Sequence, residues 1–251
     1  MPKPFFSIIT CSYNSASFIE QNLRSVSNQN FRDFEHIVID GLSQDGTLEI
    51  CQKFSLGRDY LKISQAAPRG IANAMNSGIK QAQGEWLLFL NADDCLNNEN
   101  VLKSVHEFIN RHPTSWYYGQ AKYTGEFNRR QNIYPRRWYH RHFFYQLLFF
   151  INFINHQAVF LNRSLFDKYG LYNEELAGGL DYEYWFRIGK KEKPKFMPLL
   201  IADFHVGGFS TDPKHKEFHR QETIKIRRMY TRLAALTLWP MQIYQKIRHI
   251  K

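Results

Sequence analysis

The sequence predicts an α/β fold built around a mostly parallel mixed sheet. Three observations point that way. Over the first hundred residues short apolar runs alternate with amphipathic helical stretches, each run ends in a polar or glycine-bearing turn, and 251 residues suffice for a large core. Strands separated by helices are joined by crossovers, which make neighbouring strands parallel.

Residues 5–10 (FFSIIT) read as a buried strand, 17–27 as a helix with Phe18, Ile19, Leu23 and Val26 on one face, and 36–40 (HIVID) as the next strand. A second round follows, with a helix over 47–54, a short strand over 61–64, a helix over 71–82, and WLLFL (86–90), an apolar run of the kind buried on both faces of a sheet. A helix over 98–110 completes it. Beyond that the pattern loosens, with strands at 116–118, 131–134, 157–161 and 196–202 and a short helix over 181–189. From residue 214 onward Ile226, Met229, Tyr230, Leu233 and Leu236 recur at helical spacing, with Arg220, Arg227, Arg228 and Arg232 beside them. This predicts a basic amphipathic helical tail over 214–251.

Net charge is +10, but it is unevenly placed. Residues 1–110 carry nine basic and twelve acidic side chains, whereas 214–251 carry ten and two. A slightly acidic front and a basic end point to a catalytic body with one side facing a membrane or an anion, not to a nucleic-acid coat. Cys11, Cys51 and Cys95 are odd in number and widely spaced with no CxxC pair, which suggests neither a disulfide framework nor a cysteine zinc site and fits a reducing compartment. Near the N-terminus Pro4, Ser7 and Thr10 leave the apolar stretch too short for a signal-peptide core. The aromatic run over 143–154 falls short of the ~20 residues that span a bilayer. The expectation is a cytoplasmic protein, peripheral on the inner face of the membrane.

Ligands of parallel sheets gather beyond the carboxyl ends of the strands. Ser12, Tyr13 and Asn14 follow the first strand, Asp40 ends the second, and Asn91, Asp93 and Asp94 follow the run at Leu90. Asp40 before Gly41 either accepts a hydrogen bond from a nucleotide base, with Gly41 leaving room for the ring, or starts an Asx-turn. Adjacent Asp93 and Asp94 repel unless a cation or hydrogen bonds hold them, and hard oxygen ligands suit Mg²⁺ or Mn²⁺; a loop capping the next helix is the plainer alternative. Asp181, after Gly178 and Gly179, is a candidate general base or a helix cap. Glu183, roughly 200° away around the helix, is its understudy. His205, before Gly207 and Gly208, is a candidate metal ligand or a structural histidine. His156 and Gln157 either contact a ligand or position their loop.

SIITCSYN (7–14), IDGLSQDGT (39–47), RGIANAMNSGIKQAQGEWLLFLNADD (69–94) and GGLDYEYWFRIG (178–189), in that order, resemble family 2 glycosyltransferases. The branch that builds bacterial surface polysaccharides has look-alikes of NHQAVF (155–160) and HVGGFS (205–210) as well. The resemblance implies a GT-A fold over 1–213, with a nucleotide-sugar-binding half (1–110) and an acceptor-binding half (111–213). It implies inverting transfer from a UDP-sugar to a glycan or lipid-linked acceptor, assisted by Mn²⁺ or Mg²⁺. On this resemblance Thr10, Tyr13, Asn14, Asp40, Gly41, Arg69, Asn73, Asn91 and Asp93 hold the donor, and Asp93, Asp94 and His205 hold the metal. Asp181 is the base, and His156, Gln157, Gly178 and Gly179 meet the acceptor. One departure is that Asn91 stands where the family's acidic motif often begins with a carboxylate.

Two other classes use some of these features. A sugar nucleotidyltransferase also pairs aspartates on an α/β sheet, but it wants a glycine-rich, basic phosphate loop after the first strand, and SIITCSYN has neither. A nucleic-acid-binding protein could use the charge and the arginines of 134–141, yet no binding motif accompanies them.

Overall fold

The computed structural model describes residues 3–125, 133–135 and 144–231. A nine-stranded sheet runs through the molecule. Its parallel part consists of β1 (Phe6–Ser12), β2 (Phe34–Asp40), β3 (Leu61–Gln65) and β4 (Trp86–Phe89), linked by α1 (Ile19–Ser27), α2 (Thr47–Ser55) and α3 (Ile71–Gln81). β1 and β2 are buried along their whole length, their polar Ser7, Thr10 and Ser12 and Glu35, His36 and Asp40 included. α3 lies so close to β1 that a Cβ on Gly78 would stand 2.4 Å from Ile9 Cγ2.

The sheet continues through β5 (Cys95–Leu96), β6 (Trp116–Thr124), β7 (Ile133–Tyr134), β8 (Val159–Asn162) and β9 (Lys195–His205), in the order β3-β2-β1-β4-β8-β6-β9-β5 with β7 on β6. β8 is antiparallel to both β4 and β6, while β6 and β9 are parallel. The mixed sheet is the expected one. α4 (Val101–Arg111) precedes β6; α5 (Phe144–Leu148), α6 (Ser164–Tyr169), α7 (Leu180–Gly189) and α8 (Lys216–Tyr230) follow it. Trp116 on β6 stacks on Trp185 of α7, ring centroids 5.1 Å apart.

The run over 157–161 opens as a 3₁₀ turn at His156–Ala158 before β8, and the two-residue β5 and the short α5 and α6 carry no period long enough to read. In the aromatic run Leu148, Phe153 and Ile154 are buried while Phe150 is exposed. In the tail Arg227 is not a surface charge. It is wholly buried, donating from Nε to Tyr182 Oη (3.0 Å) and from Nη2 to the Phe150 carbonyl (2.8 Å). Leu233, Leu236 and Arg232 lie outside the described residues.

The glycines expected to open the site to an acceptor are covered by α8. A Cβ on Gly178 would meet Phe218 at 3.1 Å, and one on Gly179 would meet Ile226 at 2.9 Å. Gly179 also precedes α7 at φ +67°, a left-handed conformation. Gly179→Ala is therefore expected to destabilise the fold by about 1–2 kcal/mol, read as a lower urea midpoint with an unchanged slope.

Candidate active site

The acidic turn 91–94 is held from below by a buried polar chain. Thr10, on β1, bonds His36 Nε2 (2.9 Å) and donates to Asn22 Oδ1 (3.3 Å); Asn22 Nδ2 then donates to the carbonyls of Asn91 (2.8 Å) and Asp94 (2.9 Å). Thr10, expected at the donor, is completely buried and works inside this chain. Asn22 and His36 escape the sequence reading. The available signal is an asparagine standing three residues after Ile19, on the apolar face of α1.

Asp94 has no exposed surface. Its Oδ1 accepts the His205 main-chain N–H (3.0 Å) and its Oδ2 accepts Gln157 Nε2 (2.9 Å). It thus ties the acidic turn to the end of β9 and to the 3₁₀ turn before β8, and Gln157, expected at the acceptor, is spent in that tie. Burial and the neighbouring Asp93 push the Asp94 carboxyl up to about 7. Asp93 is also raised by burial, against the opposing pull of the His205 and His156 rings. Its Oδ2 would stand 2.9 Å from a Cβ on Gly208, so the glycine lets the loop after β9 close onto the carboxylate.

Across the site His156 Nδ1 lies 3.7 Å from Asp181 Oδ2, both side chains less than a fifth exposed. Burial opposes the charged ring, but the nearby Asp181 carboxylate, with Asp94 and Asp93 behind it, outweighs that and raises the His156 pKa. His156 Nε2 is buried without a hydrogen-bond partner. Glu183 faces elsewhere: it pairs with Arg187 and accepts from Tyr230 Oη, which leaves Asp181 as the carboxylate at the site.

On the other flank, the carboxyl ends of β1 and β2 lie side by side, Ser12 opposite Asp40. Tyr13 is 59% exposed and packs against Gly41, where a Cβ would stand 3.2 Å from its ring. Asn14 accepts the Gln44 N–H (2.9 Å) and its own N–H donates to Ser43 Oγ (2.9 Å), knitting the two loops together. Asp40 is fully buried, its oxygens accepting from Ser43 N–H (3.0 Å), Ser43 Oγ (2.6 Å), Ser12 Oγ (3.4 Å) and Gln65 Nε2 (3.3 Å). These bonds shape the turn at Ser43 and leave Asp40 without exposed surface. Arg69 is exposed just ahead of α3, and Asn73, in the first turn of α3, donates to Glu174 Oε2 (3.0 Å).

Among the described residues no group of three or more His, Cys, Asp or Glu side chains could hold a metal alone. Mg²⁺ and Mn²⁺ commonly take one or two carboxylates and complete their shell with water and phosphate oxygens. Asp93, with His205 beside it, fits a cation that shares its shell with a diphosphate.

Two solved structures show the likeness of the fold. Staphylococcus aureus TarS 1–349 in complex with UDP-GlcNAc superposes with a TM-score of 0.72 at 22% identity, over 92% of this chain and 69% of that one. A mannosyltransferase from Pyrobaculum calidifontis, in complex with GDP-Man and Mn²⁺, superposes at 0.67 and 16%, over 96% and 70%. The fold is thus that of a GT-A glycosyltransferase. The family assignment follows from sequence: the model of Glycosyl transferase family 2 matches residues 7–170, and a PGL/p-HBAD biosynthesis glycosyltransferase of Mycobacterium bovis is 34% identical over 90% of this chain and 87% of its own. The chain belongs to glycosyl transferase family 2 and is a glycosyltransferase, which sets aside the nucleotidyltransferase alternative. Among the described residues no helix is long and apolar enough to cross a membrane.

Proposed function

We propose that the enzyme moves a sugar from a UDP-sugar to a hydroxyl of a glycan or lipid-linked acceptor, with inversion, in the biosynthesis of a surface glycan. The observation that carries this reading is the convergence of Asp93 and His205 with the His156–Asp181 pair. The base of the nucleotide would lie on Tyr13 over Gly41, and Arg69 with the N-terminus of α3 would face the diphosphate. Asp93 and His205 would hold a divalent cation, which when bound offsets the charge of the departing diphosphate. Asp94 and Gln157 act through them, fixing the ends of two strands. Asp181 would take the proton of the attacking hydroxyl, while His156 holds the carboxylate in place. As the acceptor oxygen bonds to the anomeric carbon, the carbon–phosphate oxygen bond breaks and its electrons leave with the nucleotide.

A screen of nucleotide-sugars against a lipid-linked glycan extract, reading released nucleoside diphosphate, tests the assignment. Release is expected from a UDP-sugar, to depend on Mn²⁺ or Mg²⁺ and on added acceptor; release from no nucleotide-sugar would contradict it.

The peripheral membrane site remains part of the proposal. Lys214, Lys216, Lys225 and Arg228 give the start of the tail exposed or half-exposed positive charge, and each basic residue near an anionic surface contributes ~1 kcal/mol. Co-sedimentation with anionic vesicles is expected to be salt-sensitive and stronger than with neutral ones. Equal, negligible binding to both would remove the membrane from the account.

A further inference from the structure

The loop that carries Gly208 continues into an aromatic cluster that none of the chemistry above uses. Phe209, half exposed, sits 4.3 Å from the His215 ring, 5.1 Å from His219 and 5.6 Å from Phe218, centroid to centroid. His219 Nε2 bonds the Phe209 carbonyl at 3.0 Å, and Thr211 Oγ1 accepts the Gly207 N–H at 2.8 Å, so the loop is pinned to the start of α8. The cluster stands between the two halves of the site. Gly208, one residue before Phe209, lies against Asp93, while Phe218 and His219 lie against Gly178, three residues before Asp181.

A carboxylate completes the cluster. Asp212 Oδ1 accepts the Lys214 N–H at 2.9 Å; its Oδ2 lies 3.9 Å from His215 Nδ1, beyond hydrogen-bond distance, in a side chain 31% exposed. One face of a pyranose is lined by C–H bonds and packs on an aromatic ring, and its hydroxyls seek a carboxylate at the edge. Aromatic side chains with a few placed polar groups recur in small-ligand sites.

We propose that Phe209, His215 and Asp212 form a subsite for a pyranose of the acceptor, the ring stacked on Phe209 and its hydroxyls bonded to Asp212. This rests on the transferase reading above, since it places the acceptor between Asp93 and Asp181. It also accounts for the crowding of Gly178: α8 closes over the glycines and brings an aromatic rim to the place where an open backbone was expected.

Saturation-transfer NMR tests it, using methyl β-D-glucopyranoside and methyl β-D-galactopyranoside as probes on the protein loaded with UDP and Mn²⁺. Transfer to the ring C–H protons of at least one probe is expected. Phe209→Ala should reduce it about five-fold and Phe209→Tyr should retain it. Asp212→Asn should weaken it, and UDP affinity by calorimetry should stay unchanged in all three variants. No transfer to either probe, or transfer undiminished in Phe209→Ala, would overturn the subsite. Failure of the wild-type protein to bind UDP would instead strike the donor assignment, so the two readings fail separately.

Discussion

Asp181→Asn is expected to lower turnover by ~10²-fold or more while donor affinity stays near wild type. Asparagine keeps the shape and an oxygen for the His156 contact but cannot take a proton. The structure narrows the choice of base, because Glu183 is tied to Arg187 and Tyr230 on the far side of α7 and Asp94 has no exposed surface. Near-normal turnover in this variant would leave the site without its proposed base. Weakened UDP binding would show that the substitution had disturbed the donor cleft instead.

The two acidic-turn residues are expected to separate in their effects. Asp93→Ala should abolish the gain in UDP affinity that Mn²⁺ confers, since it removes the carboxylate proposed to hold the cation. Asp94→Asn should reduce that gain by ~10-fold, as expected for a residue that orients ligands without being one. Calorimetric titration with and without Mn²⁺ reads both. The same aspartate has a pH signature. Its carboxyl is raised to about 7 in the fold, against ~3.9 in an unfolded chain. The folded state therefore favours the protonated form, and the associated stability is full below pH ~4 and lost as pH rises through about 7. In EDTA the wild-type protein should lose more stability between pH 5 and pH 8 than Asp94→Asn does. Equal losses would mean that Asp94 carries no buried charge.

Much of the fold is legible in the amino-acid sequence alone. The alternation of apolar runs and helices places β1 to β4 and α1 to α4 to within a few residues, because buried parallel strands and amphipathic helices leave strong periodic patterns. The residues that reach the site are legible because they follow strand ends. Their division of labour is not. Thr10, Asp40, Asp94 and Gln157 belong to the right motifs, yet burial turns each into a support for its neighbours, and burial is set by packing from elements distant in sequence. Asn22 reaches 91–94 from α1, and His205 reaches Asp94 from β9, over a hundred residues away. In sequence the glycines 178 and 179 read as space for a ligand, whereas the space is filled by α8, whose Ile226 and Arg227 stand out only as members of a surface stripe.

The central claim, a single displacement at the anomeric carbon driven from Asp181 and the acidic turn, is tested most directly by the configuration of the first product formed. Proton NMR of the reaction, with the UDP-sugar found by the donor screen, reads the anomeric coupling of the new glycosidic bond. The account predicts that an α-linked donor yields a β-linked product. A product that keeps the donor's configuration would contradict it.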